Sequence, residues 1–117
     1  MIHRVDKLLN VDSGLVGVLR EVKSDFMVIW GQRGKEDQEK AFTDGKSKAH
    51  WPESPHNKEP SMAVDLAPFP IDWPDKARFI LLAGMVLQEA AKQGIKVVWG
   101  GTFKSQPGDL GHFERQL

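Results

Sequence analysis

His56, Asp65, Asp109 and His112 are the residues of this chain whose types and spacing could do chemistry. A catalytic zinc ion takes three protein ligands and keeps a fourth position for water. The chain has no cysteine, so thiolate sites and disulfides are excluded, and any zinc must be held by imidazole and carboxylate. His56 lies in a proline-rich loop, and Asp65 lies in the strand to which that loop leads. A loop ligand followed by a strand ligand fixes two corners of a tetrahedron, and His112 on a last strand supplies the third. Water at the fourth corner needs a base within hydrogen-bond reach, and Asp109, three residues before His112, is the candidate. Zinc lowers the pKa of such a water to about 7, a proton within a carboxylate's reach. Charge developing on a carbonyl oxygen calls for a cation, and Arg33, just past Gly31, is the candidate. The chemistry is metal-assisted hydrolysis.

Spacing alone leaves ordinary readings open for each of these. His56 also reads as a loop histidine, Asp65 as a strand-end turn former and His112 as a satisfied core histidine. Asp109, following Pro107 and Gly108, also reads as a turn stabiliser, and Arg33 as a surface cation paired with Glu36 or Asp37. Glu114 is a rival base. In strand geometry it points the same way as His112, which suits it better as a hydrogen-bond partner of a ligand histidine. His50 reads as a solvent-facing loop residue outside the metal set, and His3 as terminal and uninvolved. Trp30 and Trp99 read as core residues, with Trp99 at a strand end also within reach of a substrate. There is no H-E-x-x-H helix pair.

The elements that must position these groups follow from periodicity. Leu8, Val11, Leu15, Val18, Leu19 and Val22 fall at steps of three and four and predict a helix over residues 8–23, weakened by Gly14 and Gly17. Asp25 to Trp30 is a short apolar run that reads as a buried strand ending at Gly31. Lys35 to Phe42 predicts a short polar helix with Ala41 and Phe42 facing inward, stopped by Asp44-Gly45. Gly45, Pro52, Pro55 and Pro60 make residues 45–61 a long loop, a length that in a compact domain points to function. Met62 to Leu66 alternates as a strand, with Ala63 and Asp65 on one face. A helix from about Pro74 to Gln93, stopped by Gly94, is apolar nearly all round and is expected to be the central buried helix. Ile95 to Trp99 reads as a buried strand, Gln106 to Asp109 as a turn, and His112 to Glu114 as a short final strand. This order predicts an α+β fold: a small, mostly antiparallel sheet packed with helices.

The 117 residues suit one compact domain, 1–117, with enough chain to bury a core. Sixteen basic residues balance sixteen acidic ones and are interleaved with them, which argues against nucleic acid as a partner. The most apolar stretch, Phe79 to Leu87, falls far short of the roughly 20 residues that cross a bilayer, so no membrane partner is expected. The N-terminus lacks a basic segment followed by an apolar run, so the expectation is synthesis in the cytoplasm without a signal peptide.

Ser54-Pro55-His56-Asn57-Lys58-Glu59-Pro60-Ser61-Met62-Ala63-Val64-Asp65 resembles the S-x-H-x-x-G-x-A-x-D signature of a zinc peptidase family. That family comprises D-alanyl-D-alanine carboxypeptidases and dipeptidases and the phage L-alanyl-D-glutamate endopeptidases. Trp99-Gly100-Gly101-Thr102-Phe103-Lys104-Ser105 with Asp109-Leu110-Gly111-His112-Phe113-Glu114 resembles the second signature, in the form closest to the phage endolysin branch. Gly31-Gln32-Arg33 with Asp37-Gln38 resembles the family's arginine segment. Two positions depart: His56 and Asp65 stand two residues further apart than usual, and Ser61 replaces the usual glycine. The resemblance implies a hedgehog/DD-peptidase-like domain with zinc held by His56, Asp65 and His112. It implies Asp109 as general base and Arg33 as the oxyanion's partner, with Ser54 and Trp99 expected to contact substrate. The implied activity is hydrolysis of the L-alanyl–D-glutamate bond of the peptidoglycan stem peptide by a monomer, released to the wall through a phage membrane hole. The alternatives are a D-alanyl-D-alanine carboxypeptidase or dipeptidase, and a non-catalytic wall-binding module.

Overall fold

The computed structural model of the chain describes residues 1–103 and 109–117. The elements run β1 (Ile2–His3), a 3-10 turn (Val5–Leu8), α1 (Ser13–Glu21), β2 (Phe26–Trp30), α2 (Lys35–Thr43), a 3-10 turn (Pro55–Asn57), β3 (Ala63–Pro68), α3 (Lys76–Gln93), β4 (Val97–Trp99), a 3-10 turn (Gly100–Thr102) and β5 (His112–Arg115). The strands form one sheet in the order β1-β2-β3-β5-β4. Between the strands of this sheet among the described residues, β1 pairs parallel with β2 and the other three pairings are antiparallel, in keeping with the mostly antiparallel sheet that the element order predicts.

β3 is the central strand and sets the geometry. Val64 pairs with Phe113, and both are buried in the core beneath Leu15, Leu19, Leu82 and Val86 of α1 and α3. One residue on, Asp65 pairs with His112. Successive side chains of a strand alternate between faces, so the residues that anchor the core also aim Asp65 and His112 together toward the other side. On the opposite edge of β3, Val28 faces Leu66 and Trp30 faces Asp65, which leaves Ile29 as an extra residue in β2. Bulges of this kind re-aim a strand end, and this one sets Trp30 opposite Asp65.

Three helical expectations need correction. The helix predicted over 8–23 starts at Ser13, because Asp12 caps it by accepting from the Leu15 N–H at 3.0 Å, while Val11 pairs with Ser61. In α2 the one buried residue is Gln38, not Ala41 or Phe42; Phe42 is exposed and stacks on His50 at 3.7 Å. α3 is not apolar toward protein all round: Phe79, Leu82, Ala83, Val86 and Ala90 face the core, whereas Ile80, Leu81 and Met85 face outward. β1 was not anticipated; two residues are too few for alternation to register. The predicted turn at Gln106 to Asp109, and Lys104 and Ser105 of the second signature, lie outside the described residues except for Asp109. No helix among the described residues is long and apolar enough to cross a membrane.

Candidate metal centre

The loop over residues 45–61 delivers His56 by a local device. Ser54 caps the 3-10 turn: its hydroxyl accepts from the His56 N–H at 3.2 Å, and its own N–H donates to Asn57 Oδ1 at 3.0 Å. His56 is thereby buried, with Nδ1 2.8 Å from the Gly31 carbonyl, so Nδ1 carries the proton and Nε2 is left to face Asp65 Oδ2 at 3.2 Å. Gly31 is required at this position, since a Cβ there would collide with the Lys7 carbonyl oxygen. The two residues by which this loop exceeds the usual signature are absorbed on the surface, where Lys58, Glu59 and Pro60 are all exposed. Ser61, in place of the usual glycine, is fully buried, and its hydroxyl donates to the Ala63 carbonyl at 2.8 Å.

Across the sheet, His112 Nδ1 lies 3.1 Å from Asp65 Oδ1. Its Nε2 lies 2.9 Å from Glu114 Oε1, two residues along the same face of β5. Glu114 is therefore the hydrogen-bond partner of His112. The ligand atoms of His56, Asp65 and His112 all lie within 4.8 Å of one another. His112 Nδ1 and His56 Nε2 thus face the two different oxygens of the Asp65 carboxylate, at 3.1 and 3.2 Å, so that both imidazoles and the carboxylate border one point. Each imidazole also has its second nitrogen engaged by a carbonyl or carboxylate, the arrangement that fixes the tautomer of a ligand histidine. The donor set fits a divalent ion.

The electrostatics agree. Burial alone would raise the Asp65 carboxyl, but the imidazoles of His56 and His112 outweigh it and hold Asp65 well below the usual carboxylate range. Burial would lower His112, yet its bonds to Asp65 and Glu114 prevail and push it up to about 10. Without an ion, Asp65 thus holds a proton on His112 where the ion would bind.

Arg33 is buried rather than a surface cation. Its guanidinium lies 3.4 Å from Asp65 Oδ2 and donates to Gln38 Oε1 at 3.1 Å. Burial draws the group below its ordinary range, opposed by Asp65, Asp37 and Asp109. It remains charged, because the guanidinium does not deprotonate in proteins. Gln38, fully buried, also accepts from Asn57 Nδ2 at 3.1 Å and donates to the Ala49 carbonyl at 2.7 Å, which locks α2, the arginine and the histidine loop together. Sequence reasoning missed this role; the buried polar position inside an otherwise polar helix carries no periodic signal.

Asp109 borders the same space as the three ligands and Arg33, in a hollow of about 160 Å³ that also includes Ser54, Lys46, Phe103 and Glu114. Burial raises its carboxyl, and the charge of Asp65 raises it further. Next to the hollow opens a cleft of about 560 Å³, sharing Arg33, Lys46, Asp65 and Asp109 and walled by Trp30, Trp73, Lys76 and Phe79. Trp99 borders neither; its indole N–H donates to the Leu110 carbonyl at 2.8 Å and its ring packs on the core. His50 is exposed, 2.9 Å from Glu39, and His3 stacks on Phe69 at 3.7 Å; both are outside the ligand group.

A small α+β fold with two histidines and an aspartate converging beside a cleft has the form of a hydrolase with a group able to hold a metal ion. The model of the phage L-alanyl-D-glutamate peptidase family matches residues 3–116, and the chain belongs to that family. Among solved structures it is similar to an L-Ala D-Glu endopeptidase, ChiX, of Serratia marcescens, with 28% identity and a TM-score of 0.79 over 95% of this chain and 84% of that one. Comparison with curated protein sequences finds no match. Its class of activity is accordingly that of a peptidase acting on peptidoglycan.

Proposed function

We propose that the chain hydrolyses the L-alanyl–D-glutamate bond of the peptidoglycan stem peptide as a zinc enzyme, acting as a monomeric single domain. The observation that carries this reading is the convergence of the His56, Asp65 and His112 ligand atoms within 4.8 Å, beside a cleft that Asp109 and Arg33 also line. Zinc bound by His56 Nε2, an Asp65 oxygen and His112 Nδ1 would supply Lewis acidity, polarising the scissile carbonyl and lowering the pKa of water toward about 7.

The chain's own groups do the rest. Asp109, raised by burial, takes the proton from the attacking water and passes it to the departing amine of the D-glutamyl residue. Arg33, held by Gln38, faces the negative charge that gathers on the carbonyl oxygen. Gly31 and Glu114 keep the imidazoles turned for coordination. Ser54, whose hydroxyl oxygen is engaged by the His56 N–H, still has its hydroxyl proton to offer a substrate carbonyl. The family's phage origin supports synthesis in the cytoplasm and release to the wall by a separate membrane-opening component.

Digestion of purified peptidoglycan followed by mass spectrometry tests the reading. The expected product is the stem peptide released beyond L-alanine, with activity lost on chelation and restored by zinc. Asp109→Asn is expected to lower kcat roughly 10²–10⁴-fold while zinc stoichiometry stays at one. Release of a single terminal alanine, or full activity in the zinc-free protein, would overturn it.

A further inference from the structure

The 560 Å³ cleft carries more charge than the chemistry at its inner end uses. Its acidic lining residues are Asp65, engaged with both imidazoles, and Asp109, the proposed base. Among the described residues, every other charged one that lines it is a cation: Arg33, Lys46 and Lys76. In a chain whose sixteen basic and sixteen acidic residues cancel, this is a local excess of positive charge. Arg33 is bound to Gln38 and Asp65, but Lys46 and Lys76 are exposed, and neither makes a salt bridge among the described residues. Asp44, the acid two residues from Lys46, is already bridged to Lys40 at 2.8 Å. Lys46 borders both the cleft and the smaller hollow and so stands at the catalytic end; Lys76, in the first turn of α3, borders the cleft alone.

Glutamate has two carboxyl groups, and a peptide chain continues through only one of them. The residue on the departing side of the bond therefore keeps a free carboxylate close to the reacting centre. We propose that Lys46 and Lys76 form a carboxylate-recognising wall that selects a D-glutamyl residue with its free carboxylate ionised over the same residue carrying an amide there. Lys46 holds that carboxylate beside the bond, and Lys76 extends the positive wall outward along the cleft. An ammonium ion gains a charge-assisted hydrogen bond from a carboxylate that a neutral amide cannot match. The inference rests on the peptidase reading and adds the feature of the substrate that is read.

The test compares kcat/KM on two synthetic stem peptides that differ only in this group, free acid against amide. Wild-type protein is expected to prefer the acid by roughly ten- to hundredfold, the worth of one hydrogen bond to a charged group. Added salt is expected to shrink the preference. The preference should collapse toward unity in Lys46→Met and in the Lys46→Met/Lys76→Met double variant, and Lys46→Arg should retain most of it. Equal rates on both peptides in wild type, or an undiminished preference in the double variant, would overturn the lysine wall and leave the peptidase reading standing. Hydrolysis of neither peptide by the zinc-loaded wild type would instead overturn the peptidase reading.

Discussion

His112 links the metal to pH. In the metal-free protein its pKa is pushed to about 10 because Asp65 and Glu114 both accept from its ring. The unfolded value is near 6.5, so the protonated ring stabilises the metal-free fold fully below pH 6.5, and that contribution fades as pH rises through about 10. An ion must displace the proton from Nδ1. Zinc affinity is therefore expected to rise about tenfold per pH unit between pH 6.5 and 9, with about one proton released per ion bound. Calorimetry in buffers of different ionisation enthalpy measures this, and a pH-independent affinity with no proton release would refute it. At this scale much was legible in the sequence: histidines, an aspartate and an arginine advertise their chemistry by type. Gln38 did not, because a glutamine between Asp37 and Glu39 looks like solvated surface until the fold shows it enclosed by Arg33, Asn57 and Ala49.

Among the elements, β2 and its bulge matter most for the site. Gly31→Ala would push a methyl group into the Lys7 carbonyl and shift the carbonyl that receives His56. It is expected to destabilise the fold by about 1–3 kcal/mol and to weaken zinc binding about 10–100-fold. Gly84→Ala serves as the contrast: it lies within α3 with nothing within 4 Å of the added carbon, so it should stabilise by up to about 1 kcal/mol. Denaturant midpoints and zinc titrations separate the two, and equal behaviour would refute the steric argument. The strands before Gly31 and Gly100 were readable as strands from their apolar runs, but the second, expected to be buried, is the half-buried edge strand β4. The exposed side of α3 was not, because Ile80, Leu81 and Met85 carry the same apolar signal as Leu82 and Val86, and only the sheet decides which of them it covers. The start of α1 was hidden for a related reason: Val11 fits the helical period, yet pairs as an extended residue with Ser61.

Over the whole molecule, ligands from the 45–61 loop, the central strand and the last strand meet at one point, so a bound ion ties distant stretches of chain together. At zinc concentrations about 100 times the dissociation constant, binding should add about 2.7 kcal/mol to stability, roughly 10 °C in Tm for a domain of this size. A thermal scan with and without chelator measures it, and identical midpoints would sink the assignment of the three ligands. A second long tie, from Arg115 in β5 to Asp12 at the cap of α1, spans 103 positions at 2.9 Å and is independent of the ion. The overall α+β class was predictable from element order alone. The strand order β1-β2-β3-β5-β4 was not, since it depends on how the last strand inserts beside the third.

That insertion places Asp65 directly opposite His112. Sliding β5 by a single position would turn His112 and Glu114 together toward the core and bring Phe113 out to the site, while leaving the ladder of backbone bonds nearly intact. Such a misthreaded molecule would be compact and unable to hold its ion. On the proposed zinc reading, metal retention would therefore be a built-in proofreading mark, borne only by copies whose strands have paired in the working alignment.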